Sequence, residues 1–189
     1  MVNAQDIRSN RDFNIYVIEF PKLFKTTAET VPFLIIETMV AYKPYPVTNK
    51  KVNSFLLNYL MSFTEGQTLI KKYELFPFTM LVQTMERTFI DKLFALCDYH
   101  LRQNYDCYSR HLYDIHMMWT SEQLDKEKLM FIIPDIIAAR QRFPKQNLSA
   151  LPNSKPKTLL MEIIKTAVFK NDYNNVTLNL IHKKVNYET

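Results

Sequence analysis

Glu37 is a carboxylate set in an otherwise apolar stretch, with Phe33-Leu34-Ile35-Ile36 before it and Val40 after it. An ionised carboxylate is costly to bury unless it is paired or binds a metal. Glu37 is therefore a candidate magnesium ligand, since that ion takes hard oxygen donors; strand alternation would instead turn it to solvent. Lys92 flanks an apolar helical arc beside Phe89 and Leu96, where an ammonium either reaches a neighbouring cleft as a point charge for phosphate or snorkels to water. Arg110 and Asp114 are one helical turn apart, with His111 on the same side. A surface pair at that spacing contributes only about 0.3 kcal/mol, so these groups are free to line a site. Arg110 would meet phosphate, and Asp114 would act as a base or orient a metal-bound water. Arg140 shares an arc with Leu129, Ile133 and Ile136, and a guanidinium there needs a carboxylate or an anionic ligand. His100 and His182 are isolated, and His111 and His116 are five apart. That is not the three- or four-residue spacing of a helical metal pair, so no zinc site is expected.

The elements that position these groups follow from periodicity. Phe13–Phe20 and Phe33–Val40 read as strands, with Phe13, Ile15 and Val17 on one face of the first. Thr48–Asn53 reads as a polar turn leading to a short helix at Phe55–Met61, and Phe78–Val82 as a third strand. From Met85 the period becomes helical: Phe89, Ile90, Leu93, Phe94, Leu96, Cys97 and Leu101 form one stripe, with Asp91, Asp98 and Arg102 opposite. Tyr108–Thr120 is a second helix with Leu112, Ile115 and Trp119 inward. Lys126–Phe143 is a third, capped by Asp125 and bent at Pro134. Ser149–Pro156 reads as a linker, followed by helices at Thr158–Phe169 and Asp172–Lys183. Strands first and helices after predict an α+β fold, divided into a strand-rich part, 1–84, and a helical part, 85–189.

Composition narrows the function classes. The net charge of +5 suits an anionic partner such as RNA, DNA or a nucleotide, and equally serves plain solubility. Cys97 and Cys107 make neither a zinc pattern nor a disulfide framework. The N-terminal residues are polar, and no run approaches the ~18 to 20 apolar residues of a membrane span, so a cytoplasmic protein without a membrane partner is expected. Average usage of about 7% would give about thirteen glycines, yet Gly66 stands alone. Glycine is what lets a backbone close on a phosphate, so dinucleotide fingerprints and P-loops are excluded.

Two segments carry a family resemblance. Glu86-Arg87-Thr88-Phe89-Ile90-Asp91-Lys92 resembles the "ERTF-x-EK" helix of the AbiEii/AbiGii nucleotidyltransferase toxins, with Asp91 where glutamate is usual. Ser109-Arg110-His111-Leu112-Tyr113-Asp114-Ile115 resembles their "SRHxYDL" helix. Asp135–Phe143 is similar to their "EHRxxF" segment, with Ala139 replacing the histidine, and Asp172-Tyr173 to a C-terminal "DYxxM". The order and approximate spacing agree along nearly the whole chain.

The resemblance implies a polymerase-β-like nucleotidyltransferase sheet followed by a C-terminal helical bundle. It also implies magnesium, a nucleoside triphosphate substrate, transfer to RNA, and membership of antitoxin-paired or phage-defence systems. Glu37 matches the third catalytic carboxylate, Lys92 the phosphate-holding lysine and Asp114 the required aspartate of the later motif. Arg110, His111, Arg87 and Arg140 are the candidate substrate-binding residues. One departure is large: the family's Gly-Ser turn and paired aspartates are missing, since no Asp-x-Asp triplet occurs and Gly66 follows Glu37 without a serine. Two-metal transfer needs carboxylates that hold ions about 3.5–4 Å apart, which leaves Glu37 as a partial metal site only. The chain resembles the C-terminal two-thirds of such an enzyme and is expected to be inactive alone. The alternatives are a non-catalytic module that binds RNA or protein, for which Tyr42, Tyr45 and Tyr105 would be exposed aromatics, or one half of a split enzyme. Partners to expect are RNA or nucleotide, a cognate antitoxin or the missing N-terminal half, and a second copy of the chain.

Overall fold

The computed structural model describes residues 13–19, 33–39 and 45–188. β1 (Phe13–Glu19) and β2 (Phe33–Met39) form an antiparallel pair running from Phe13 opposite Met39 to Glu19 opposite Phe33. As expected, Phe13, Ile15 and Val17 lie on the more covered face, while Tyr16 and Ile18 are exposed. The polar stretch expected to be a turn is a strand: β3 (Val47–Val52) pairs antiparallel with β4 (Phe78–Gln83), from Val47 opposite Gln83 to Val52 opposite Phe78. Its Thr-Asn-Lys-Lys centre is solvated, so no apolar alternation marks it, and the ladder to β4 supplies what pattern does not.

Between β3 and β4 lie α1 (Phe55–Leu60), capped by the Ser54 hydroxyl on the Leu57 amide, and α2 (Gly66–Lys72). Leu57, Leu60 and Ile70 form a small core there. Gly66 is buried where a Cβ would sit 1.9 Å from the Leu60 carbonyl oxygen, a backbone atom that cannot swing aside. Gly66→Ala is therefore expected to separate α1 from α2. The loss should be about 1–3 kcal/mol, the range for overpacking, read as a lowered denaturant midpoint.

α3 (Met85–Leu101) is the axle of the helical part, begun by the Thr84 hydroxyl on the Arg87 amide. α4 (Arg110–Trp119), α5 (Lys126–Gln141), a 3-10 turn (Leu148–Ala150) and α6 (Pro156–Thr166) all pack on it. Asp125 caps α5 as expected. The chain finishes with α7 (Lys170–Asp172), a π turn (Tyr173–Thr177) and α8 (Leu178–Leu180). One core joins Phe89, Ile90 and Phe94 to Leu129 and Ile136; a second joins Leu96 to Ile163 and Phe169.

Asp98 is buried, not solvated opposite the apolar stripe. Ser149, placed in a linker, is fully buried: its amide donates to Asp98 and its hydroxyl to the Phe94 carbonyl. Trp119 is 49% exposed, stacked on Phe89 with Lys126 over its ring. Of the aromatics expected at the surface, Tyr45 is exposed and Tyr42 lies outside the described residues. Tyr105 is partly covered, edge-on to Phe169 and bonded to His100 Nδ1.

Candidate functional site

α3 and α4 run antiparallel, because Phe89 meets Trp119, Lys92 meets Asp114 and Tyr99 meets Tyr108. That packing brings the two quoted motifs face to face. Asp114 is not paired with Arg110 one turn back on its own helix; its Oδ2 lies 2.7 Å from Lys92 Nζ across the seam. His111, three residues before Asp114, places Nδ1 3.4 Å from the same ammonium. Lys92 and Asp114 both remain partly exposed, so the pair is reachable from solvent. One turn further along each helix, Thr88 and Met118 line a cleft of about 640 Å³ with Thr48 and Lys50 of β3. Arg110 is exposed beside the pair.

His111 lies flat beside Tyr99 at 7° between ring planes, and Tyr99 stacks on Tyr108 at 3.7 Å. Burial, then the Lys92 and Arg110 charges, push the His111 pKa down to about 4, against a smaller opposing pull from Asp114. The imidazole is neutral at pH 7. The unfolded chain binds a proton on this histidine near pH 6.5, which the folded chain refuses until about pH 4. Stability from this group is thus complete above pH 6.5 and lost as pH falls towards 4. Melting of the parent and of His111→Asn between pH 7 and 5 is expected to show a steeper acid decline in the parent.

Arg87 and Arg140, both candidates for binding substrate, lie inside the protein. Arg87 Nε bonds Asp91 at 2.8 Å, and its Nη1 donates to the Tyr45 carbonyl at 2.7 Å. Arg140 reaches Asp91 Oδ1 at 3.1 Å and Asp98 Oδ2 at 2.7 Å, with its guanidinium over the Phe94 ring. Gln83 adds a bond to Asp91. The network ties the start of α3 to the β3 entry and α5 to α3, and leaves Arg140 Nε buried without a hydrogen-bond partner among the described residues. Asp91 and Asp98 are seven residues apart, two helical turns on one line, and that spacing was the available signal for a shared partner.

Asp172 plays a second internal role that sequence reasoning missed. It accepts the Cys107 amide at 2.8 Å and the Ser109 amide at 3.0 Å, holding the loop that enters α4, while the Ser109 hydroxyl bonds Thr177. Burial raises its pKa, but the hydrogen bonds from Ser109 and Cys107 outweigh that and hold it below the usual value, so it is a carboxylate at neutral pH. Its charge also suits the helix N-terminus. Asp172→Ala is expected to cost about 2 kcal/mol through the orphaned amides, read by chemical denaturation.

Glu37 is exposed on β2, opposite Ile15, and no hydrogen bond or ion pair joins it to Lys92, Arg110 or Asp114 among the described residues. No three His, Cys, Asp or Glu side chains among the described residues converge as metal ligands. With Asp114 committed to Lys92, the described residues do not fit a two-ion site. Cys97 is buried, its thiol pushed up to about 12 by desolvation and then by Asp98, which makes it inert. No helix among the described residues is long and apolar enough to cross a membrane.

Neither curated proteins nor solved structures yield a match to the chain. Residues 4–182 match the family model described as nucleotidyl transferase AbiEii toxin, type IV TA system. With that model spanning almost all of its length and the two motifs packed against each other, the chain belongs to the AbiEii nucleotidyltransferase toxin family, a type IV toxin–antitoxin family.

Proposed function

We propose that this protein is an AbiEii-type nucleotidyltransferase homologue, cytoplasmic, which keeps the phosphate-gripping helical half of the site and is unable to transfer nucleotides to RNA by itself. The observation that carries this reading is the 2.7 Å contact between Lys92 Nζ and Asp114 Oδ2, which joins the two family motifs across α3 and α4. An ammonium has three N–H donors and no acceptor. One is taken by Asp114 and one by His111, and the third is left for a phosphate oxygen. Arg110, exposed one turn from Asp114, adds a second cation that can meet phosphate bidentately. A cleft of about 640 Å³, lined by Thr88 and Met118 one helical turn from Lys92 and Asp114, falls in the usual range for small-molecule sites.

The carboxylates support the reading of inactivity alone. Glu37 stands without an aspartate pair in the sequence, and the described residues offer no converging ligand set. When bound, magnesium would supply the charge neutralisation that phosphoryl transfer requires; nothing in the described site can hold it in place.

Two measurements test the proposal on the purified chain. Calorimetry with each nucleoside triphosphate is expected to show binding that weakens as salt rises. Incubation with labelled nucleotide, RNA and magnesium is expected to leave the RNA unlabelled. Absent binding would sink the phosphate-gripping role, and robust magnesium-dependent labelling would sink the inactivity.

A further inference from the structure

We infer that His111 is a positioning residue which, resting on the Tyr99–Tyr108 stack, gives the Lys92 ammonium a second anchor and so aims its free N–H at the incoming phosphate. The inference rests on the phosphate-gripping reading above but concerns a different group. Held by Asp114 alone, an ammonium pivots about a single contact. With a second acceptor at a fixed place, two of its three hydrogens are assigned and the direction of the third follows from tetrahedral geometry.

The hydrogen-bond inventory settles which way the imidazole faces. Lys92 can only donate, so Nδ1 must accept at 3.4 Å, and the ring proton resides on Nε2. A histidine in that state has no nitrogen free to take a proton without releasing the lysine. It is therefore excluded as the general base, and it contributes no positive charge to attract the substrate. The ring also has aromatic neighbours. Tyr99 lies parallel to it at 5.8 Å between centroids, and Tyr108 backs Tyr99 at 3.7 Å. Asp114 and His111 are three residues apart on α4 and so share one face, which lets one helix present both acceptors to one lysine.

The test compares two substitutions that keep an amide at position 111. Asparagine places its side-chain oxygen where Nδ1 sits; glutamine places it where Nε2 sits. With inorganic triphosphate as the probe, His111→Asn is expected to bind within about threefold of the parent and His111→Gln about tenfold more weakly. Melting curves for both confirm folding, and Tyr99→Phe, which keeps the stack, is expected to bind like the parent. Nitrogen-15 NMR of the parent's imidazole gives a readout independent of any ligand: at pH 7 Nε2 should carry the proton and Nδ1 should be bare.

Equal weakening in the asparagine and glutamine variants, or none in either, would overturn the inference, as would a ring protonated at Nδ1. If the parent binds no triphosphate while the tautomer is as expected, the phosphate reading fails and the two-point mount on Lys92 stands.

Discussion

Arg140→Ala is expected to lose about 3–5 kcal/mol of stability. The reason is not the bonds removed but the charges left behind. Asp98 is 3% exposed, and its one cationic partner among the described residues is Arg140 at 2.7 Å; Asp91 keeps Arg87 and Gln83. Truncating one member of a buried ion pair leaves an uncompensated charge, which costs about that amount. For a chain of this size each kcal/mol lowers the melting temperature by about 2–4 °C, so a fall of roughly 10 °C should be seen in thermal melts. Arg140→Lys should recover little, since one ammonium cannot present a planar fork to two carboxylates at once. Asp98→Asn/Arg140→Ala should be less damaging than Arg140→Ala alone. A melting temperature for Arg140→Ala within 3 °C of the parent would show that the network carries little of the fold.

Lys92→Ala is expected to weaken nucleoside triphosphate binding by about 10- to 100-fold, the equivalent of one hydrogen bond to a charged group. Its effect on stability should be small. The Lys92–Asp114 pair is part-exposed, and ion pairs in that setting contribute about 0–1 kcal/mol. This separation is the signature sought: Arg140→Ala acts on folding, Lys92→Ala on ligand. Asp114→Ala should weaken binding less than Lys92→Ala. The double substitution should be no worse than Lys92→Ala, because Asp114 acts on the phosphate through the lysine. Calorimetric titrations of the four proteins close that cycle. Additive losses would mean that Asp114 contacts the ligand independently.

The two kinds of arginine show where reading a sequence stops. Arg110 and Arg140 both belong to quoted motifs, yet one is at the surface beside the ion pair and the other is locked between Asp91 and Asp98. Arg140 lies on the apolar arc of its helix, and that position called for a carboxylate or an anionic ligand. Which carboxylate depends on how α5 crosses α3, 42 residues away for Asp98. Asp114 shows the same limit: its nearest cation in sequence is Arg110, and its partner in the fold is Lys92, 22 residues away.

From sequence alone came whatever is written at short range. The helical periods of α3 to α6, the Asp125 cap, the strands at β1, β2 and β4, the exclusion of glycine phosphate loops and the family kinship all depend on residues a few positions apart. Local backbone geometry relates those residues directly. The pairing of β3 with β4, the burial of Asp98 and Ser149, the loop fixed by Asp172, and the convergence of Lys92, Asp114 and His111 were decided by tertiary packing. A polar or charged group has many possible partners along a chain. Only the approach of two elements selects one of them, and the cost of leaving any buried charge unmatched makes that selection strict.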